Sequence, residues 1–308
     1  MTIDWVAQAA AHRRSLEFGR AWRESDGYAA LTAAFDPIDA ADPEAVAGIA
    51  QQVLSAEGPM TALLDPLIAR LAEDPWFEPP LRASRDSLRV GAGLFEHPAA
   101  TFSASVIAAA RLATLPPARS VAVSGRLAIV RYVRGGGARL RLWTVEPAGP
   151  DFSSAEAAPA TLLGDVPLTD GMVLRIDGRA RATQIIGATS DVVTVTAAIR
   201  AGASPFQREY AVPSGELLRI ATNDDGAART QMLLTFLRHA RRADAAPWFD
   251  AATRDGAFFL RWAAMREWLA LDVATALPRL RELGDDANAE VRAAAAKTLP
   301  IAEAACRC

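Results

Sequence analysis

Ser120-Val-Ala-Val-Ser-Gly-Arg-Leu-Ala-Ile-Val-Arg-Tyr-Val133 is dense in β-branched residues. Gly135-Gly136-Gly137 follows, and Ala138-Arg-Leu-Arg-Leu-Trp-Thr-Val145 then alternates apolar and polar positions. Two strand-like runs about a glycine turn predict a β-hairpin. Side chains on a strand repeat every two residues, so Arg139, Arg141 and Trp143 share one face while Leu140 and Leu142 take the other. Further strands are predicted at Thr161–Leu163, Met172–Ile176, Thr183–Ile186, Val192–Ile199 and Gln207–Val212. Short strands with turn residues between them point to a sandwich or barrel over 85–222. Too few helices intervene for a doubly wound sheet.

The flanks have a different period. Over 1–84, apolar residues recur at steps of three and four, as at Leu63, Leu64, Leu67, Ile68 and Leu71. Asp42-Pro43-Glu44 is a helix start, Pro59 suits a first helical turn, and Pro66 is expected to bend or interrupt its helix. Asp74-Pro-Trp-Phe-Glu-Pro-Pro80 reads as a linker with aromatic anchors. Over 223–308, helices are predicted at Ala228–Ala240, Ala246–Ala252, Ala257–Leu271, Thr275–Glu282 and Ala289–Leu299. The fold class is therefore α+β, in three segments: helical, stranded and helical.

Composition bounds the function. The 308 residues are 51% hydrophobic and 22% charged with a net charge of −3, which excludes a disordered chain. With 33 Lys+Arg against 36 Asp+Glu, nothing pulls the chain toward nucleic acid or an acidic membrane. No apolar run is long enough to span a bilayer. The opening Met-Thr-Ile-Asp-Trp lacks the pattern of a signal peptide. The two cysteines, Cys306 and Cys308, cannot staple a core, so a cytoplasmic location is expected.

The stranded segment resembles a cupin, the RmlC-like jelly roll, and its pattern is similar to the cysteine-dioxygenase-like branch. The first motif of that branch is matched by Val121-Ala-Val123-Ser-Gly125 and the apolar run after it. The second resembles Leu168-Thr-Asp-Gly171-Met-Val-Leu-Arg-Ile176, with a later strand at Thr183-Gln184-Ile-Ile. The resemblance implies a small β-barrel, and in the family a metal held by histidines of these motifs. Here Val121 and Val123 stand at the first motif's histidine positions and Gln184 at that of the second. The dioxygenase activity is therefore not carried over, and no metal or other cofactor is expected. Cupins often dimerise through sheet edges, so a homodimer is one expectation.

The stretch from Ala276 to Leu299 resembles a HEAT repeat. Leu277, Leu280 and Leu283 precede an acidic turn, Val291, Ala295 and Leu299 follow it, and Arg292 matches the arginine that follows the family's valine. The resemblance implies a protein-binding surface. In the preceding helix Trp262, Met265 and Leu269 fall at helical steps, beside Arg266 and Trp268. They are either core packing or a partner face with Trp and Arg anchors.

Catalytic constellations are sparse. His12, His97 and His239 lie in three different segments, whereas a metal site needs several ligands in one place. His97 could face the barrel cavity with Asp177 as a carboxylate partner. No Gly-x-Ser-x-Gly elbow or Walker-type loop is present. Cys306-Arg-Cys308 is either a frayed end or a soft-metal or disulfide-exchange pair. Arg208-Glu209 is a salt-bridge pair or a handle on a polar ligand. If Arg131, Arg139 and Arg141 point into the barrel, they would hold a carboxylate or phosphate. If they point out, they are a solvated face. The expectation is a non-catalytic scaffold or sensor whose partner is another protein, docked through the C-terminal helices, as an accessory or regulatory subunit. The alternative is an enzyme acting on a small anionic ligand, with atypical metal ligands or without metal. An arginine-lined polar cavity favours the alternative, and a barrel filled by Val and Leu excludes it.

Overall fold

The computed structural model describes residues 5–149 and 152–306. The chain divides into two compact units. One holds the chain up to Pro147 with Pro159–Ser204 and Arg208–Leu218; the other holds 148–158, Pro205–Gln207 and the chain from Arg219 onward.

The first unit opens with helices α1 (Trp5–Arg23), α2 (Asp26–Phe35), α3 (Pro43–Ser55) and α4 (Gly58–Glu73). The Asp42 carboxylate accepts the Glu44 and Ala45 N–H groups, and Pro43 occupies the first turn of α3, so two otherwise orphaned donors are satisfied. Helix α4 continues through Pro66 instead of stopping there. Of its apolar positions, Leu63 and Leu67 are buried whereas Ile68 and Leu71 are exposed.

Twelve strands follow among the described residues: β1 (Arg82–Arg85), β2 (Arg89–Glu96), β3 (Ala100–Ile107), β4 (Ser120–Val123), β5 (Leu127–Arg134), β6 (Arg139–Thr144), β7 (Thr161–Pro167), β8 (Met172–Asp177), β9 (Arg181–Ile186), β10 (Val192–Ile199), β11 (Phe206–Ala211) and β12 (Leu217–Thr222). The short helix α5 (Ala109–Leu112) lies between β3 and β4. The strands form three open sheets, ordered β1-β2-β3-β10-β5-β8, β12-β11-β4 and β7-β6-β9. The first three strands and β12 were not among the segments singled out by β-branched pattern.

The glycine turn corrects one expectation. Strand β5 lies between β10 and β8, and β6 lies between β7 and β9, so the two runs flanking the glycines do not pair as a hairpin. Gly136 and Gly137 have φ of +61° and +65°, and the Ala138 N–H donates to the Gly135 carbonyl at 3.0 Å. A Cβ on Gly136 would lie 2.3 Å from the Ser190 carbonyl oxygen, so conformation and close approach both demand glycine. The turn is tight, but it is a corner that carries the chain from one sheet to another.

The six-stranded sheet is covered on both faces. Phe95, Phe102, Leu127, Ile129, Val195 and Ala197 form one core with Trp22, Leu31, Phe35, Val46, Leu54 and Leu63 of the helices. The opposite face presents Ile107, Val130, Tyr132 and Val192 to Leu140 of β6. This explains the near-continuous β-branched reading of β10, whose two faces are both buried. Each fully buried Leu or Phe side chain contributes about 2 kcal/mol by removal from water. The N-terminal helices and the six-stranded sheet therefore share one unit.

The second unit holds α6 (Asp225–His239), α7 (Ala246–Ala252), α8 (Phe258–Leu271), α9 (Val273–Glu282) and α10 (Ala289–Ala305). Its core joins Phe206, Leu234, Phe249, Met265 and Trp268 to Ala276, Leu280, Leu283, Val291 and Ala295. The Asn288 side chain caps α10 by accepting the Glu290 and Val291 N–H groups. Among the described residues no helix is long and apolar enough to cross a membrane.

Candidate functional site

The cavity with the most to offer chemically lies in the first unit, between the six-stranded sheet and the β7-β6-β9 sheet. Its volume is about 470 Å³. Val130, Leu140, Ile107, Ile176 and Ile185 give it apolar walls, and residues 112 and 115–118 border it. Its polar groups are Ser105, Thr183, Thr194, Thr196, Gln184 and Tyr132, with one charged side chain, Arg89, on its border.

Strand register explains this lining. Thr194 lies opposite Ser105 on one side and Tyr132 on the other. Thr196 lies opposite Ser103 and Val130 in the same way. A period of two puts all of these on the face away from the N-terminal helices. The Ser105 and Thr194 hydroxyls bond each other at 2.9 Å. Tyr132 is only 2% exposed, and burial pushes its pKa up to about 12, so its phenol is a neutral donor at any physiological pH.

Arg131, Arg139 and Arg141 all lie off this cavity. Arg131 is on the helix-facing side of β5, where its guanidinium donates to the Leu54 and Ala56 carbonyls at 3.0 and 2.9 Å. Those carbonyls end α3, so the charge sits at the negative end of a helix dipole. Arg141 forms a two-pronged pair with Asp165, at 2.8 and 3.0 Å, its direct partner across β6 and β7. That bond holds the Asp165 carboxyl below its ordinary pKa. Arg139 donates to the Asp165 carbonyl at 3.2 Å. The period-two reading of Arg139, Arg141 and Trp143 against Leu140 and Leu142 agrees with this: Leu140 and Leu142 pack toward the cavity and Trp143 lies in a separate core.

His97 is in the turn between β2 and β3. Its Nδ1 accepts the Ala99 N–H, and its Nε2 lies 3.3 Å from the Asp36 carboxylate. The ring lies parallel to Phe95. Asp177 is engaged instead with Arg179, at 2.7 and 2.8 Å. The structure thus brings His97 to neither the cavity nor Asp177. Among the described residues no three His, Cys, Asp or Glu side chains cluster as metal ligands. Val121 and Val123 are buried against Trp143 and Tyr210. The polar groups at the cavity are hydroxyls, a phenol, an amide and the Arg89 guanidinium, with neither imidazole nor carboxylate among them, and this set does not fit the histidine-held metal that the cupin resemblance implies.

Arg208 is 2% exposed and reaches the Tyr210 hydroxyl, the Glu146 carbonyl and the Arg179 carbonyl at 2.9, 2.7 and 2.9 Å. Burial lowers its pKa. Its neighbour Glu209 instead accepts from Ser120 Oγ. Cys306 is exposed with a free thiol, and Cys308 lies outside the described residues.

In the helical unit, Met265 and Trp268 are core residues, 0% and 5% exposed. Arg292 donates to the Asp286 and Ala287 carbonyls. Trp262 and Arg266 instead line a surface pocket of about 210 Å³ with Phe206, Phe259 and Gln231. Pattern reasoning missed the hydroxyl floor of the β-sandwich cavity. Thr194 and Thr196, two apart in an otherwise apolar strand, were its available signal.

No protein-family model matches the chain, and no curated protein matches it in sequence. Solved structures with a likeness to it include cupin-superfamily proteins at low identity. One is ectoine synthase from P. lautus, 13% identical over 46% of this chain and 85% of that one, with a TM-score of 0.25. Another is a sugar phosphate isomerase of the cupin superfamily from Silicibacter pomeroyi, 12% identical over 44% and 78%, with a TM-score of 0.24. A third comes from the crystal structures of DMSP lyases, 14% identical over 65% and 98%, with a TM-score of 0.29. At these identities and scores no activity, substrate or site residue follows for this chain.

Proposed function

We propose that this protein is a non-catalytic scaffold or sensor with a cupin-like sandwich that takes a small molecule without a metal, and a HEAT-like helical unit that docks a protein partner. The observation that carries the first half is the chemistry of the cavity. It has room for a small ligand, apolar walls and a row of neutral hydroxyls, which is a recognition surface. It offers poor acid–base chemistry: Tyr132, with its pKa near 12, is a weak proton acceptor at neutral pH. The docking half is supported by the pocket of Trp262 and Arg266, residue types enriched at interface anchors.

The first half is tested by thermal unfolding of chelator-treated protein against a panel of small hydroxylated molecules. A ligand that binds the folded state raises Tm with concentration. The reading expects such a rise, unchanged by added divalent metal. A rise that appears only with metal would contradict it. For the docking half, crosslinking from α8 should recover a partner that Arg266→Glu loses while the helical unit stays folded.

A further inference from the structure

The sandwich cavity does not end at its apolar walls. A second space of about 460 Å³ lies along the β1–β2 edge of the same sheet and shares Arg89, Ser105 and Thr196 with it. Its floor is the continuation of the same residue rows. Ser84, Gly91, Ser105, Thr194 and Tyr132 are successive cross-strand partners, as are Gly93, Ser103, Thr196 and Val130. Gly93 leaves open space, since a Cβ there would meet nothing within 4 Å.

Charge is confined to the outer end. Arg89 lies opposite Ile107, which puts it on the cavity face, and Asp86 lines the outer space with it; Arg85 borders that space from a position paired with Val90, on the other face of the sheet. Among the described residues the Arg89 side chain makes no hydrogen bond or salt bridge, and its charge is one of the influences that lower the Asp86 pKa. The nearby Asp86 carboxylate accepts the Leu88 and Arg89 backbone N–H groups, both at 2.7 Å. At the inner end the polar groups are hydroxyls alone with the Gln184 amide. The hydroxyls of Ser84, Ser103, Thr183, Thr196 and Tyr132 make no hydrogen bond among the described residues.

Resting on the reading of the cavity as a small-molecule site, we propose that its ligand is a hydroxylated molecule bearing one acidic group, with the acid held by Arg89 and the uncharged body laid over Ser105, Thr194, Thr196 and Tyr132. The Ser105 and Thr194 hydroxyls lie 2.9 Å apart, a spacing comparable to that of adjacent hydroxyls on a sugar ring. The apolar walls suit the C–H faces of such a ring. A guanidinium holds a carboxylate or a phosphate by the same fork of donors. Sugar acids and sugar phosphates share this chemistry.

The test is calorimetric titration of the full chain with D-glucuronate, D-glucose 6-phosphate, D-glucose, inorganic phosphate and the neutral probe cyclohexanol. At least one acidic sugar should bind tenfold or more tightly than glucose, and the better of the two names the acid. Arg89→Gln should erase that preference at unchanged Tm, and Arg85→Gln should leave it in place. Gly93→Leu should block the acidic sugars by filling open space. Thr196→Val should weaken sugars but not phosphate alone. Equal binding of glucose and the acidic sugars would overturn the acidic ligand while leaving the cavity reading intact, as would binding of cyclohexanol alone. Phosphate binding as tightly as the sugars would overturn the placement of the body. No response to any probe would overturn this proposal together with the cavity reading.

Discussion

Ser105 and Thr194 are direct cross-strand partners on β3 and β10, and their hydroxyl oxygens lie 2.9 Å apart on the floor of the sandwich cavity. Thr194 is 6% exposed. Thr194→Val keeps the shape and removes the bond, at a cost of about 1 kcal/mol. Urea unfolding should report that small loss, and ligand titration a larger proportional loss of affinity. Equal affinity in the variant would place the ligand elsewhere.

Arg131 belongs to the scaffold. Its guanidinium ties two carbonyls at the end of α3 to β5, and its side chain is 15% exposed. Arg131→Met should destabilise the first unit by roughly 2 kcal/mol, since hydrogen bonds from a charged donor are worth about 1.5–3 kcal/mol. Ligand affinity should be unchanged in the folded variant. A selective loss of affinity with full stability would return Arg131 to the binding site.

The helical unit should be acid-sensitive through Arg261 and Asp286. Their fork measures 2.8 and 2.6 Å, with side chains 13% and 6% exposed. Burial alone would raise the Asp286 pKa; the Arg261 hydrogen bond and the Asn288 N–H outweigh it and hold the carboxyl below its ordinary 3.8. A carboxylate depressed on folding contributes stability above its unfolded pKa and loses that contribution as pH falls through the folded value. Stability should therefore fall below about pH 4. Arg261→Gln should cost about 3 kcal/mol at pH 7 by leaving a buried charge unpaired, and less at pH 3. Denaturant midpoints at the two pH values decide it.

Met265 and Arg266 are sequence neighbours with opposite expectations. Met265 is fully buried, so Met265→Ala should cost about 2–5 kcal/mol. Arg266 is exposed, so Arg266→Ala should stay within about 0.5 kcal/mol while weakening partner capture. Calorimetric unfolding and a crosslinking assay separate the two effects.

Much of the α+β layout was legible because its signals are local. Alternation assigned Leu140 and Leu142 to one face of β6, and Asp42-Pro43-Glu44 marked the start of α3. The partner of β5 was not legible. Two positive-φ glycines serve equally for a hairpin or for a corner between sheets, and the choice is made by pairing with β10, some sixty residues further along the chain. The same is true of the cavity. Thr194 and Thr196 read as ordinary β-branched strand residues until register sets them beside Ser105 and Tyr132. Arginines drew notice at Arg131, Arg139 and Arg141, but their partners, the end of α3 and Asp165, are tertiary facts.

The central claim is that the sandwich takes its ligand without a metal. Elemental analysis of the purified chain, wild type and with Cys306→Ser and Cys308→Ser, tests it most directly. The account predicts no stoichiometric iron, nickel or manganese in either sample, with small-molecule binding retained in both. One tightly held metal ion per chain that persists in the double variant would contradict it.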